Sequence, residues 1–170
     1  MSRIHGFPPL ASPLARVLIL GSMPSRESLA RRQYYAHPRN AFWPILCELL
    51  GIEETGYTSR ARQVTRRGVA IWDVLSDCVR PGSLDSDIDE KTAEVNDFTA
   101  FFQQQPRLCS IFFNGAKAES IYLKRVLPGL DTRYTTFPHH RLPSTSPANA
   151  GMSFEKKREA WRIILSAGVE

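Results

Sequence analysis

Residues 17–50, VLILGSMPSRESLARRQYYAHPRNAFWPILCELL, decide how this chain is read, because an apolar strand breaks there into a polar loop and re-emerges as a helix. A buried strand ending in Gly21-Ser22-Met23-Pro24-Ser25 sets exposed backbone amides at a strand's carboxyl end, where open α/β sheets place their ligands. His37-Pro38-Arg39-Asn40 then delivers four unlike side chains just before the aromatic pair Phe42-Trp43. One carboxamide, one imidazole, one guanidinium and the two preceding tyrosines, Tyr34 and Tyr35, suit a flat, uncharged, polar-edged ligand rather than a metal ion. The helix over residues 41–50 follows from the spacing of Phe42, Ile45, Leu46 and Leu49. Asn40 stands at its N-cap position, and Pro44 falls within the first turn, where a missing N–H costs least.

Outward from this stretch, strand and helix alternate. Residues 1–15, with Pro8, Pro9 and Pro13, read as an extended cover, and residues 16–20 as the first buried strand. A polar helix over 59–67 leads to a second strand, 69–72, that meets Asp73. Residues 73–88 read as a loop with a turn at Pro81-Gly82. The pattern Val95, Phe98, Phe101, Phe102 predicts a helix over 87–104, closed by Pro106. A third strand, 108–113, ends at Asn114-Gly115. A helix over 116–127, a fourth strand over 133–137 and a terminal helix over 154–166, with Trp161, Ile164 and Leu165 on one face, complete the chain. Short continuous apolar strands alternating with helices predict an α/β fold with a parallel sheet covered on both faces. In such a sheet Gly21, Asp73, Asn114 and the loop after Phe137 emerge along one edge.

Composition bounds what this fold can be used for. At 170 residues, 42% apolar and 23% charged, the chain reads as one globular domain over residues 1–170, without a linker. Its apolar runs are far shorter than the ~20 residues of a membrane span, so no membrane partner is expected. Residues 1–16 lack the apolar core of a signal peptide, and the expected location is the cytoplasm. Cys47, Cys78 and Cys109 are odd in number, widely spaced and without a C-x-x-C pair, which argues against a disulfide framework, zinc or an iron-sulfur cluster. A net charge of +5 and a pI near 9.4 favour a polyanionic partner. A serine hydrolase built on Ser22 or Ser144 lacks the G-x-S-x-G elbow.

Four segments carry a resemblance. GSMPS (21–25), QYYAHPRNAFW (33–43), FNGAKA (113–118) and LPSTSPANA (142–150) resemble those of the uracil-DNA glycosylase superfamily, most closely its hypoxanthine-DNA (deoxyinosine) glycosylase branch. The similarity runs in the same order over residues 16–165. It implies a three-layer α/β/α domain around a mainly parallel four-stranded sheet. The implied enzyme flips a deaminated nucleotide out of DNA and hydrolyses its N-glycosidic bond with a positioned water, without a metal or other cofactor. The implied partner is double-stranded DNA, with single-stranded DNA as a second form, bound by a monomer.

The departures from the pattern assign the roles. Several relatives carry Asn or Asp where this chain has Met23, so the resemblance gives the catalytic carboxamide to Asn40 of the HPRN segment. Many begin the last motif with His where this chain has Leu142, so imidazole help for the leaving base is absent or comes from His139 or His140. The branches with an iron-sulfur cluster have four cysteines, which this chain lacks. The resemblance also implies base recognition by Asn114 and base stacking by Tyr35. Asp73 is a second polar group for the base pocket, beside Gly21, Ser22 and Met23. Ser25, Ser144 and Ser146, with Arg141 nearby, suit phosphate oxygens. Leu142 or Thr145 is expected to fill the gap left by the flipped base.

The chemistry agrees with these residue types. Breaking a glycosidic bond builds positive charge on the sugar and negative charge on the departing base. The organising loop has no carboxylate pair, only Glu27, so carboxamides and the amides of Gly21 to Ser25 would act by preorganised electrostatics. An Asn amide donates to a carbonyl and accepts from a ring N–H, which complements hypoxanthine and uracil alike and opposes adenine. Discrimination between the two then falls to pocket size beside Tyr35 and Met23. Two other readings stand beside this one: a uracil or mismatch-specific glycosylase of broader range, and a nucleic-acid-binding domain without catalysis.

Overall fold

A computed structural model of the chain describes residues 2–169. In chain order the elements are β1 (Arg3–His5), β2 (Val17–Gly21), α1 (Arg26–Arg31), α2 (Phe42–Leu50), α3 (Tyr57–Arg66), β3 (Val69–Asp73), β4 (Leu75–Val79), β5 (Asp89–Val95), α4 (Phe98–Gln103), β6 (Ser110–Asn114), α5 (Ala116–Ile121), α6 (Thr132–Thr135), β7 (His139–Leu142) and α7 (Phe154–Trp161). Every residue of β2, β3 and β6 is buried, as strands covered on both faces require. They form a four-stranded sheet in the order β3-β2-β6-β7, parallel throughout. The chain leaves β2 for β3 on one side and returns to β6 on the other. That reversal opens a crevice beyond the carboxyl ends of β2 and β6.

Register decides which side chains meet which layer. Trp72, Leu20 and Phe113 lie in one row across the sheet and face α4 and α5. The Trp72 ring meets Phe98 and Phe101 at 5.0 and 4.9 Å between centroids, and Phe113 meets Tyr122, which packs edge-on against Phe98. One residue further along, Asp73 pairs with Gly21, and Asn114 follows Phe113. The two-residue period of a strand turns this row to the opposite face, where α2 packs against α7 through Phe42 and Trp161. The result is the three-layer arrangement with a parallel four-stranded centre. A second, antiparallel sheet in the order β1-β4-β5 is tied to the end of β2, where Val74 N and Leu75 N donate to the carbonyls of Gly21 and Ser22.

The structure corrects several boundaries. Residues 133–137 are not the fourth strand: Asp131 caps α6 by accepting from Arg133 N, and pairing with β6 begins only at Pro138 and runs through β7. The helix expected over 87–104 is confined to α4, capped by Asp97. Residues 89–95 instead pair with β4, where cross-strand hydrogen bonds override a helical pattern that the isolated segment could not sustain. The expected loop 73–88 therefore contains a strand. The N-terminal cover is extended, but it also contributes β1, and Leu10 bridges to Ile71. Helix α2 starts at Phe42 with Ala41, not Asn40, at its N-cap position; Asn40 stands one residue earlier, and its Oδ1 accepts from Phe42 N at 3.0 Å. Among the described residues no helix is long and apolar enough to cross a membrane.

Candidate active site

The crevice beyond β2 and β6 widens into a cavity of about 500 Å³, within the size range of small-molecule sites. Gly21, Asp73 and Asn114 form its floor, and Tyr35, Asn40, Met23 and the loop 144–149 contribute to its walls. Gly21 is required by packing. A Cβ there would lie 2.5 Å from Asp73 Oδ1 and 2.9 Å from the Tyr35 hydroxyl, so only glycine lets these two groups converge over the strand end. Neither Asp73 Oδ2 nor the Tyr35 hydroxyl has a hydrogen-bond partner. Tyr35 also holds a left-handed backbone, φ +54°, a strained conformation for a bulky residue that marks functional sites. Its ring is fixed by stacking on Phe42, at 3.8 Å between centroids and 17° between planes.

Electrostatics single out Asp73. It is 4% exposed, and burial, reinforced by the nearby Asp85 carboxylate, pushes its carboxyl up to about 7 against the opposing pull of Arg80. Burial, then the Asp73 charge, raises the Tyr35 phenol well above its ordinary range. Asp85 reaches the cavity from a short turn, Asp85–Asp87, between β4 and β5, and accepts a hydrogen bond from Ser22 Oγ. Sequence reasoning missed Asp85, as well as Ser28 and Asn149 of the cavity wall. The polar run SLDSD after Pro81-Gly82 marks a turn, but nothing local places that turn over β2. Arg80, also buried, donates to the carbonyls of Gly82 and Pro24 and so binds the 81–87 segment to the GSMPS loop.

The two asparagines are held in place by their neighbours. Asn114 Oδ1 accepts from Thr145 N at 2.9 Å, and Asn114 Nδ2 donates to Thr145 Oγ1 at 2.9 Å. Thr145 O in turn accepts from Ala41 N, next to Asn40. A carboxamide has two lone pairs and two N–H groups. Thr145 takes one of each from Asn114, leaving one of each for a ligand. Gly115, at φ +96°, lets the 143–149 loop close in, since a Cβ there would lie 3.2 Å from Ser144 Cβ.

Other expected residues fall elsewhere. Leu142 and Thr145 are 3% and 0% exposed, one as the last residue of β7 and the other clasped by Asn114, so neither stands out as a wedge. The histidines do not line the cavity. His140 stacks on Phe112 and His139 packs edge-on against Tyr122 at the start of β7, and His37 Nδ1 accepts from Arg39 N. Ser25 caps α1 by accepting from Ser28 N, a helix within the expected loop. Ser144 and Ser146 Oγ accept from Ser146 N and Ala148 N on the cavity rim. Arg141 is exposed, with Nε 3.3 Å from the Glu119 carboxylate. Among the described residues no group of three or more His, Cys, Asp or Glu side chains is placed to hold a metal ion.

Comparison with known proteins agrees with this geometry. The profile of the Uracil DNA glycosylase superfamily matches residues 8–165. The chain is 36% identical over 165 residues to a protein of Methanosarcina acetivorans named hypoxanthine DNA glycosylase, covering 95% of this chain and 97% of that one. A protein of the same name from Methanosarcina barkeri is 36% identical over 116 residues, 67% of this chain and 72% of its own. A solution NMR structure from Methanosarcina acetivorans, provisionally assigned as a uracil DNA glycosylase, superposes with a TM-score of 0.79 at 32% identity over 96% of both chains. With a matching profile across nearly its whole length and a cavity at the switch point of a parallel sheet, this chain belongs to the uracil DNA glycosylase superfamily.

Proposed function

We propose that this protein is a monofunctional glycosylase that excises hypoxanthine from deoxyinosine-containing DNA by hydrolysis, acting as a monomer on double-stranded and also single-stranded DNA. The observation that carries the reading is the convergence of Gly21, Asp73 and Asn114 on one cavity floor beside Tyr35, whose backbone is strained. The names of the two Methanosarcina relatives support the choice of base. In this reading the flipped base stacks on Tyr35, worth ~1–3 kcal/mol by analogy with single-strand binders. The free N–H and lone pair of Asn114 meet the base carbonyl and ring N–H. Asn40 orients the attacking water with the part of its carboxamide not bonded to Phe42 N. The amides of the GSMPS loop stabilise charge on the departing base, and the 144–146 rim with Arg141 takes the phosphates.

A second reading, a broader deaminated-base glycosylase that includes uracil, has one observation in its favour. The groups left free on Asn114 complement uracil as well as hypoxanthine. Incubation with a panel of duplexes carrying deoxyinosine, deoxyuridine or deoxyxanthosine, followed by alkali, separates the two. Strand breaks confined to deoxyinosine support the first reading, and breaks at deoxyuridine at a similar rate support the second. Intact strands throughout, with retained DNA binding, leave only a binding domain.

A further inference from the structure

The cavity floor holds one group that neither base stacking nor carboxamide recognition uses, the Asp73 carboxyl. It is buried, lines the cavity, and leaves Oδ2 without a partner. The charged and titratable groups facing it are Arg80 from the end of β4, Asp85 from the turn before β5, and Tyr34 and Tyr35 from the loop before α2. On the floor Asn114, Gly21 and Asp73 sit at the ends of three adjacent strands. Asp73 and Asn114 are thus two strand spacings apart, about 9–10 Å between their backbones, and the Tyr35 hydroxyl is the side-chain group that lies over Gly21 between them.

A purine fits this row in one sense. With N1–H and O6 of hypoxanthine on Asn114, the next acceptor along the base edge is N7, on the side of Asp73. Uracil has no atom there. We propose that Asp73, in its protonated form, is the general acid of the reaction, giving its proton to N7 of the departing hypoxanthine. The inference deepens the proposed function and rests on it.

The step balances. The C1′–N9 bond breaks and its electron pair passes into the base while the Asp73 O–H bond breaks and its proton goes to N7, so the base leaves neutral. Water forms the new C1′–O bond, its surplus proton passes to solvent, and solvent reprotonates Asp73. Burial and Asp85 hold the carboxyl near neutrality, at about 7, where an acid is still protonated yet able to give up its proton. The same placement explains why a superfamily cavity would favour a purine. The acid has work to do only on a base that presents N7.

Single-turnover cleavage of a deoxyinosine duplex by the full chain, followed from pH 5 to 9, tests the proposal. The parental rate is expected to fall about tenfold per pH unit above about 7, and Asp73→Asn to be about 10²–10⁴-fold slower without that alkaline limb. Duplex containing 7-deazadeoxyinosine, which lacks the N7 acceptor, is expected to be cleaved by the parent at least about 10²-fold more slowly. Asp73→Asn removes a buried carboxylate, so it should unfold at or above the parental temperature at pH 8, which separates lost chemistry from lost structure. Parental rates in Asp73→Asn, a parental profile flat from pH 6 to 9, or equal cleavage of the 7-deaza substrate each overturn the acid role while leaving the glycosylase reading intact. Absence of any hypoxanthine release by the parent sinks the reading of function, and the acid with it.

Discussion

In the proposed reading Asn40 serves two tasks with one carboxamide, and substitution can divide them. Its Oδ1 accepts from Phe42 N in the first turn of α2, a bond worth about 1 kcal/mol, and the residue also lines the cavity. Asn40→Ala is expected to lose both that bond and about 10²-fold or more in single-turnover cleavage. Asn40→Asp keeps the acceptor and should hold stability in urea while still losing cleavage. Equal losses in stability for the two variants would show that the bond to Phe42 N plays no part. Gly21→Ala would drive a methyl group into Asp73 Oδ1 and the Tyr35 hydroxyl, an overpacking that costs about 1–3 kcal/mol and should abolish cleavage in the same assay.

Asp73 also sets a pH dependence of stability whose sign follows from linkage. Its carboxyl is raised in the folded protein from 3.8 to about 7, so the folded state binds the proton more tightly than the unfolded chain does. Its contribution is therefore fully present below about pH 4, is lost as pH rises from 4 to 7, and is constant above that, an effect on the order of 4 kcal/mol. Urea titrations at pH 5 and pH 8 should show most of this loss, about 3 kcal/mol, in the parent and a smaller one in Asp73→Asn.

At the scale of elements, two joints hold the cavity together. The first is the clasp between β6 and the 143–149 loop, made by Asn114 and Thr145 and backed by Trp161 of α7, whose Nε1 donates to Pro143 O at 2.9 Å. Thr145→Val keeps the shape and deletes the acceptor of Asn114 Nδ2. The cost should be about 1–3 kcal/mol in urea, with slower cleavage in the proposed reading because the Asn114 amide is no longer fixed. The second joint is Arg80, which carries β4 and the 81–87 turn onto the GSMPS loop. Arg80→Met should cost about 2–3 kcal/mol through lost charged hydrogen bonds. It should also move the alkaline limb of the pH profile upward, because Arg80 opposes the rise of the Asp73 pKa. An unmoved limb would show that Arg80 acts only in folding.

Across the whole molecule, a net charge of +5 must work through long-range attraction and phosphate contacts. Affinity for undamaged duplex should fall steeply and linearly on a log–log plot against salt, by counterion release. Arg141→Ala should reduce that slope by about one while leaving the ratio of deoxyinosine to undamaged DNA affinity unchanged. A slope unaltered by the substitution would remove Arg141 from the DNA contact.

The parts of this protein that depend on near neighbours are legible in the amino-acid order. Continuous apolar runs become β2, β3 and β6 because strands buried on both faces have no polar side to show, and helix α2 follows from its own apolar spacing. Those runs alone put Gly21, Asp73 and Asn114 on one edge. What those residues meet depends on tertiary contacts. Ser22 finds Asp85 across 63 residues and Asn114 finds Thr145 across 31. Pairing of β7 with β6 and the Asn114 clasp bury Leu142 and Thr145 rather than leaving either as a wedge, and pairing with β4 makes residues 89–95 a strand. The strand at 139–142 lies beyond the one expected at 133–137, because an Asp131 cap and pairing with β6 outweighed local preference. Such contacts depend on which distant strand arrives alongside, and no local pattern encodes that arrival.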